Sequence, residues 1–239
     1  MPTPRPRTLP TRGAEPVLTT IRPHAIEQRF VVEQRRAVEI VSWLRARFVP
    51  DPHGAGPHGD AYTVTTQYFD TLSWDVFRRR GSHRRAKYRI RRYNDETIVY
   101  FERKLRTRCV LAKRRGAVPV DTAPPLGDAP NWFSKRIELR GLRPVCLVTY
   151  LRVARHYGLD DGVARVTIDS DLRAGLRGDI DSRLGAPLLL NQSVVEIKCG
   201  STPPAVVKEL IERFALIPAP RSSKYRRAVG ALGLTESEE

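Results

Sequence analysis

KYRIRRY, Lys87–Tyr93, within the longer run RRAKYRIRRY, is the stretch on which the fold turns. A β-strand sends alternate side chains to opposite faces, so Arg85, Lys87, Arg89 and Arg91 share one face while Ala86, Tyr88 and Ile90 share the other. One face is cationic and the other can be buried. Like charges along one side of a strand repel. The face is therefore either a solvated outer surface or a lining that converges on a polyanion, and repetition of the pattern in other strands decides between the two.

Composition bounds the options. The chain has 239 residues, enough for one large domain, and 42 Lys and Arg against 26 Asp and Glu give a formal charge of +16. An anionic partner follows: nucleic acid, an anionic membrane surface, or a phosphorylated molecule or polymer. Cys109, Cys146 and Cys199 are widely spaced and form no CxxC pair, which argues against a disulfide framework or a zinc site and fits a reducing, cytoplasmic setting. No apolar run approaches the roughly 18 residues that span a bilayer, and no apolar signal-type segment opens the chain.

Working outward toward the N-terminus, residues 1–20 carry five prolines among arginines and read as a disordered basic arm. The folded unit is expected over 21–232, with a frayed acidic tail over 233–239. In AIEQRFVVE, Ile26, Gln28, Phe30 and Val32 alternate with Glu27, Arg29, Val31 and Glu33, a second strand with a charged face. QRRAVEIVSWLRARF follows, a helix of about 14 residues with a stripe at Val38, Val41, Leu44 and Phe48, and with Trp43 and Phe48 destined for the core. Pro50–Asp60 reads as a mobile surface loop in which His53 and His58 lack a third metal ligand. AYTVTTQYFD is a strand ending at Asp70, and a helical turn closes at Gly81.

Toward the C-terminus, Tyr100, Glu102 and Lys104 share a face of TIVYFERKL, where the carboxylate is either half of an ion pair or part of a phosphate and metal site. RTRCVLAKRRGAV brings together Lys113, Arg114 and Arg115, and a Pro-rich connection leads to a short helix over 131–140. In PVCLVTYLRVARHY, Tyr150 and Arg152 oppose Leu147, Leu151 and Val153. In GVARVTIDSDL, Arg165, Thr167 and Asp169 alternate with Ala164, Val166 and Ile168. SVVEIKCG sets Glu196 and Lys198 against Val195, Ile197 and Cys199. A last amphipathic helix, opened by a Ser or Thr cap and prolines, buries Val207, Leu210, Ile211 and Phe214. Ser223, Lys224 and Tyr225 then enter a short helix.

The pattern thus repeats over at least five strands. Basic residues gather on the polar faces with Glu27, Glu102, Asp169 and Glu196 interspersed, and the helices carry matching apolar stripes. This favours a closed or curled antiparallel sheet of an α+β fold around a polyphosphate and a divalent ion, Mn²⁺ or Mg²⁺, which takes carboxylate and phosphate oxygens.

The series Glu27–Phe30 (EQRF), TTQYFDT at Thr65–Thr71, KYRIRRY, FERK at Phe101–Lys104, YLR at Tyr150–Arg152, RVTID at Arg165–Asp169, VEIK at Val195–Lys198 and SKY at Ser223–Tyr225 resembles the VTC domain. That is the polyphosphate polymerase branch of the CYTH-like triphosphate tunnel metalloenzymes. The likeness covers about residues 22–230. It implies an antiparallel β-tunnel with a basic lumen that takes ATP and inorganic polyphosphate and transfers the γ-phosphoryl group of ATP to the chain. Arg89, Arg91, Lys104, Arg152, Arg165 and Lys224 would act on the reacting phosphates. Arg29, Lys87, Lys113, Tyr150, Lys198 and Ser223 would hold substrate, and Glu196 the metal. Arg29 departs from the lysine usual there, and which of Lys113, Arg114 and Arg115 takes the family's basic position stays open. The alternatives are a tunnel triphosphatase, a non-catalytic polyphosphate-binding module and, against the lack of a recognition helix or stacking motif, a nucleic-acid binder. A separate membrane protein would be needed for any translocation.

Overall fold

The structure is a computed structural model that describes residues 18–22, 26–54, 59–106, 111–119, 129–158, 164–176, 185–219 and 223–235. In chain order its elements are β1 (Leu18–Arg22), β2 (Ile26–Glu33), α1 (Gln34–Arg45), β3 (Val49–Pro50), β4 (Ala61–Asp70), α2 (Asp75–Arg78), β5 (Ala86–Tyr93), β6 (Ile98–Arg106), β7 (Leu111–Pro119), α3 (Asn131–Leu139), β8 (Arg143–Tyr157), β9 (Ala164–Leu176), β10 (Ala186–Pro187), β11 (Gln192–Cys199), α4 (Ala205–Arg213) and α5 (Lys224–Ala231). Short 3-10 turns at Pro52–Gly54 and Gly81–Arg85 precede β4 and β5.

All the described strands join one antiparallel sheet in the order β1-β7-β6-β5-β4-β8-β9-β11-β2, with β3 on β8 and β10 on β9. Hydrogen bonds do not close it, because β1 and β2 are its two ends. Register shifts at Tyr68/Phe69 and between Thr149 and Leu151 interrupt the ladders that β8 makes with β4 and β9. Such irregularities bend and twist a strand, which helps the sheet to curl.

Two apolar layers cover the outer surface. On one side Phe30, Val32, Val166, Ile168, Val195 and Ile197 meet α1 and α4 through Ile40, Leu44, Val207 and Leu210. On the other, Phe133 of α3 is fully buried, its ring edge-on to Phe69, Tyr88 and Phe101 at centroid distances of 5.7, 6.1 and 5.1 Å. α5 lies against the opposite face of the sheet, the one that carries Thr66, Tyr68 and Tyr150, where it packs Ala228 and Val229 into the cluster that holds Cys146, Val148, Leu172 and Ala174.

Several sequence expectations shift. The sheet already includes Leu18–Arg22, paired with β7, so the last residues of the expected arm are backbone partners in a ladder; residues 1–17 and 236–239 lie outside the described residues. Arg85 belongs to the 3-10 turn before β5 and does not continue the Lys87 face. In α1 Trp43 and Phe48 are buried as expected, but Val38 is 61% exposed, and Ala37, Ile40 and Leu44 form the buried stripe. The helix spans 12 residues, and its phase is set by where the sheet lies. The turn of α2 closes at Arg79, which is itself left-handed at φ 57°, and Gly81 supplies a second positive φ of 47°. α4 begins after Pro204, with no side-chain cap from Ser201 or Thr202.

Candidate functional site

Directly opposed residues of an antiparallel ladder share a face. Arg91 lies opposite Thr66 and Tyr100, Arg89 opposite Tyr68 and Glu102, and Lys104 opposite Lys87 and Lys113. Arg152 lies opposite Tyr62 and Asp169, while Glu196 lies opposite Thr167 and Arg29. The charged residues therefore form one continuous surface. Its curvature is visible in a single contact: Lys104 Nζ of β6 donates to Glu27 of the terminal strand β2 at 2.8 Å, although β5, β4, β8, β9 and β11 lie between them in the ladder. The polar face closes on itself as the wall of a tunnel.

Three carboxylates organise the lining. Glu102, 1% exposed, accepts from Arg89 Nε at 2.6 Å and Arg115 Nε at 2.9 Å, pairs with Lys113 Nζ at 2.5 Å, and has Arg91 Nη1 at 3.9 Å. Asp169, fully buried, takes both Arg152 Nε at 2.6 Å and Nη2 at 2.8 Å, and Lys224 Nζ at 2.6 Å. Glu196 accepts from Arg29 Nε and Lys198 Nζ, each at 2.7 Å. Burial alone would raise the carboxyl pKa values, but the neighbouring cations outweigh it, holding Glu102 and Glu196 well below the ordinary range and Asp169 at about 2. The cations show the opposite strain. Burial, with Arg115 and Arg89 nearby, lowers the Lys113 ammonium to about 7 despite the pull of Glu102. Positive charge exceeds what the lining carboxylates compensate, the condition a bound polyanion relieves.

Each residue singled out from the sequence has a definite place. Arg29, Lys87, Arg89, Arg91, Lys104, Lys113, Arg152, Lys198 and Lys224 join this network, with Lys87 Nζ donating to Ser223 Oγ at 2.9 Å. Tyr150, 1% exposed, has its hydroxyl 3.4 Å from Arg91 Nη2 and its ring beneath Lys224 Nζ at 4.8 Å. Both Lys113 and Arg115 line the tunnel, whereas Arg114 points the other way and stacks on Trp132 at 4.6 Å. Arg165 stands apart, its Nη2 bound at 2.7 Å to Asp51, which His156 also approaches at 3.1 Å.

Asp51 belongs to the segment read as a mobile loop, and that reading is corrected. Asp51 and Asp60 are buried, and Asp60 anchors Arg45 and Arg155. His53 stacks on Tyr93 at 4.1 Å; His58 lies outside the described residues. No motif marked Asp51, whose role depends on β3 pairing with β8. The lining is also less uniformly polar than the sequence suggests, since Tyr62, Val64, Tyr68 and Tyr93 share it. Thr167 Oγ1, Arg165 Nε and the Tyr62 hydroxyl are buried with no hydrogen-bond partner among the described residues. Such orphaned groups are positioned to meet a polar ligand or water.

Among the described residues no three His, Cys, Asp or Glu converge as a metal cage. Glu27 and Glu196 are nevertheless neighbours, bridged by Arg29. Mg²⁺ and Mn²⁺ suit carboxylate and phosphate oxygens, and Mg²⁺ typically uses one or two carboxylates beside the phosphates of its substrate. This pair fits such an ion, which would share the Glu196 oxygens with Arg29 and Lys198.

The sequence matches the VTC domain family over residues 24–232. The chain belongs to the VTC domain family. No curated protein sequence matches it. Among solved structures, a candidate adenylate cyclase from Bacillus halodurans superposes with a TM-score of 0.55 at 18% identity, covering 85% of this chain and 96% of its own. A candidate adenylyl cyclase from Hippeastrum with a dominant triphosphatase activity gives 0.51 at 12% identity, covering 89% and 96%. At these identities the likeness is one of fold. The VTC domain here is a curled antiparallel sheet whose polar face forms the basic wall of a tunnel, and no helix among the described residues is long and apolar enough to cross a membrane.

Proposed function

We propose that this VTC domain is a polyphosphate polymerase using ATP and a divalent ion, Mn²⁺ or Mg²⁺. The observation that carries the reading is the gathering of Arg29, Arg89, Arg91, Lys104, Lys113, Arg115, Arg152 and Lys224 on one closed-in wall around only four carboxylates among the described residues, Glu27, Glu102, Asp169 and Glu196. A triphosphate and a chain end repel each other in water. A cationic tunnel removes that repulsion and aligns the two for in-line attack.

In this reading a terminal oxygen of orthophosphate or of the chain attacks the γ-phosphorus. The bond from that phosphorus to the β–γ bridging oxygen breaks, and ADP leaves while the chain gains one unit. Arg89, Arg91, Lys104, Arg152, Arg165 and Lys224 stabilise charge on the transferring phosphoryl oxygens. Arg165 would exchange Asp51 for phosphate to do so. Arg29, Lys87, Lys113, Tyr150, Lys198 and Ser223 position the chain, and Arg115 joins them. A divalent ion held by Glu196 and Glu27 would add neutralisation of phosphate oxygens. The setting we propose is cytoplasmic, with any export of product left to a separate membrane protein.

Purified protein incubated with ATP and Mn²⁺ is expected to yield ADP together with a ladder of phosphate chains. Orthophosphate as the sole phosphorus product besides ADP would replace the polymerase with a tunnel triphosphatase, the second reading, which the Hippeastrum relative's activity favours. Binding of polyphosphate without ATP turnover would reduce the protein to a binding module.

A further inference from the structure

Outside the lumen lies a basic segment that the reading above does not use, FRRRGSHRR at Phe77–Arg85. Its residues help to form a small, shallow surface cleft between the α2 turn, the 3-10 turn Gly81–Arg85 and α5. Arg79, His83, Arg84, Lys87 and Arg226 line it, and no Asp or Glu does. Arg79 and Gly81 both hold left-handed backbone, at φ 57° and 47°. A non-glycine residue in that region is strained and persists only where its surroundings impose it. Here it reverses the chain and brings Arg79 to the same cleft as Arg84. Arg226 is fixed by its bond to the Phe77 carbonyl and by the Phe77 ring 4.6 Å away.

Lys87 ties this cleft to the tunnel. It lines the cleft, donates to Ser223 Oγ at the start of α5, and feels the charges of Arg29, Arg89 and Lys104 on the tunnel wall. The cationic surface is therefore continuous from lumen to exterior.

We propose that the cleft formed by Arg79, His83, Arg84 and Arg226 is a second binding site for linear polyphosphate, holding the segment of chain that lies outside the tunnel beside Lys87. The proposal rests on the reading of the tunnel as a polyphosphate site and adds to it a grip on the chain beyond the reacting end. An anion site of this kind recognises charge density and phosphate oxygens through arginine forks. On this proposal tripolyphosphate fills the lumen and only a longer chain also spans the cleft, so the cleft makes affinity depend on chain length.

The test is calorimetric titration of the full chain with tripolyphosphate and with long-chain polyphosphate, in the wild type, the Arg84→Gln variant and the Arg79→Gly/Arg84→Gln double variant. Glycine keeps the left-handed backbone at position 79. The wild type is expected to bind the long chain more tightly. The double variant should lose roughly fivefold of that excess, with a log–log salt slope shallower by about 0.7 per lost contact, as for a single-stranded polyanion. Its tripolyphosphate affinity should be retained, which also reports that it is folded; Arg84→Gln alone serves if the double variant does not fold. An unchanged long-chain excess overturns the site, as does an equal loss for both ligands. An equal loss for a single-stranded oligonucleotide of matched charge also overturns it, making the cleft a general polyanion patch. A wild type that releases only orthophosphate from ATP, yet binds by chain length through Arg79 and Arg84, retires the polymerase and leaves the cleft standing.

Discussion

At the scale of single residues, the tunnel is built from charges that compensate one another only in part. Arg152 approaches Asp169 with two nitrogens inside a wall where neither side chain is more than 9% exposed. Replacing Arg152 with Leu leaves Asp169 with Lys224 alone, and removing one partner of a buried pair costs about 3–5 kcal/mol. Urea denaturation should show that loss, together with loss of ATP turnover. Lys113 makes a separate prediction. Its folded value of about 7 lies below the ordinary 10.5, so between those pH values the unfolded chain holds a proton that the folded one has released. This group's contribution therefore makes the unliganded protein more stable as pH rises through that window. Phosphate favours the ammonium, so affinity for tripolyphosphate should fall over the same range with proton uptake on binding. Titration in buffers of different ionisation enthalpy measures both, and Lys113→Gln should flatten the dependence. The sequence placed Glu102 beside cations without settling its role; only the meeting of β5, β6 and β7 makes it a hub for Arg89, Arg91, Lys113 and Arg115.

At the scale of elements, alternation in the strands was legible because it is local. β5, β9 and β11 present the faces that their sequences predict, and Tyr88 anchors β5 against α3 through Phe133. Phe133→Ala should cost about 3–5 kcal/mol by emptying the centre of that outer layer, read as a lower urea midpoint. Helix phase was less legible. Val38 and Ile40 both fit a helical apolar pattern, and the sheet buried Ile40 and left Val38 in water. The segment at Asp51 was read as loop because its glycines and prolines describe its backbone, while its carboxylate finds partners on β8 and β9, more than a hundred residues away.

At the scale of the whole molecule, a tunnel lined with excess positive charge is destabilised by its own repulsion until an anion fills it. Tripolyphosphate at about one hundred times its Kd should add about 2.7 kcal/mol of stability, seen as a rise in Tm that shrinks as salt screens the interaction. Acid should act in the other direction. Glu102, Glu196 and Asp169 are held ionised below their ordinary range, so their contribution is complete above about pH 4.5 and is lost as pH falls through the folded values. A denaturation series from pH 7 to pH 2 tests this.

The sequence by itself determined the alternation of the strands, the excess of positive charge, the series of motifs that marks the VTC domain and the polar side on which most lining residues stand. Those properties depend on residue type and on neighbours two to four positions away. The tertiary structure decided which cations meet which carboxylates, that Lys113 and Arg115 rather than Arg114 line the wall, that Asp51 holds Arg165, and that Lys104 crosses the lumen to Glu27. Those outcomes depend on the curl of the sheet, which brings strands distant in the ladder within ion-pair range, and no local pattern encodes that distance.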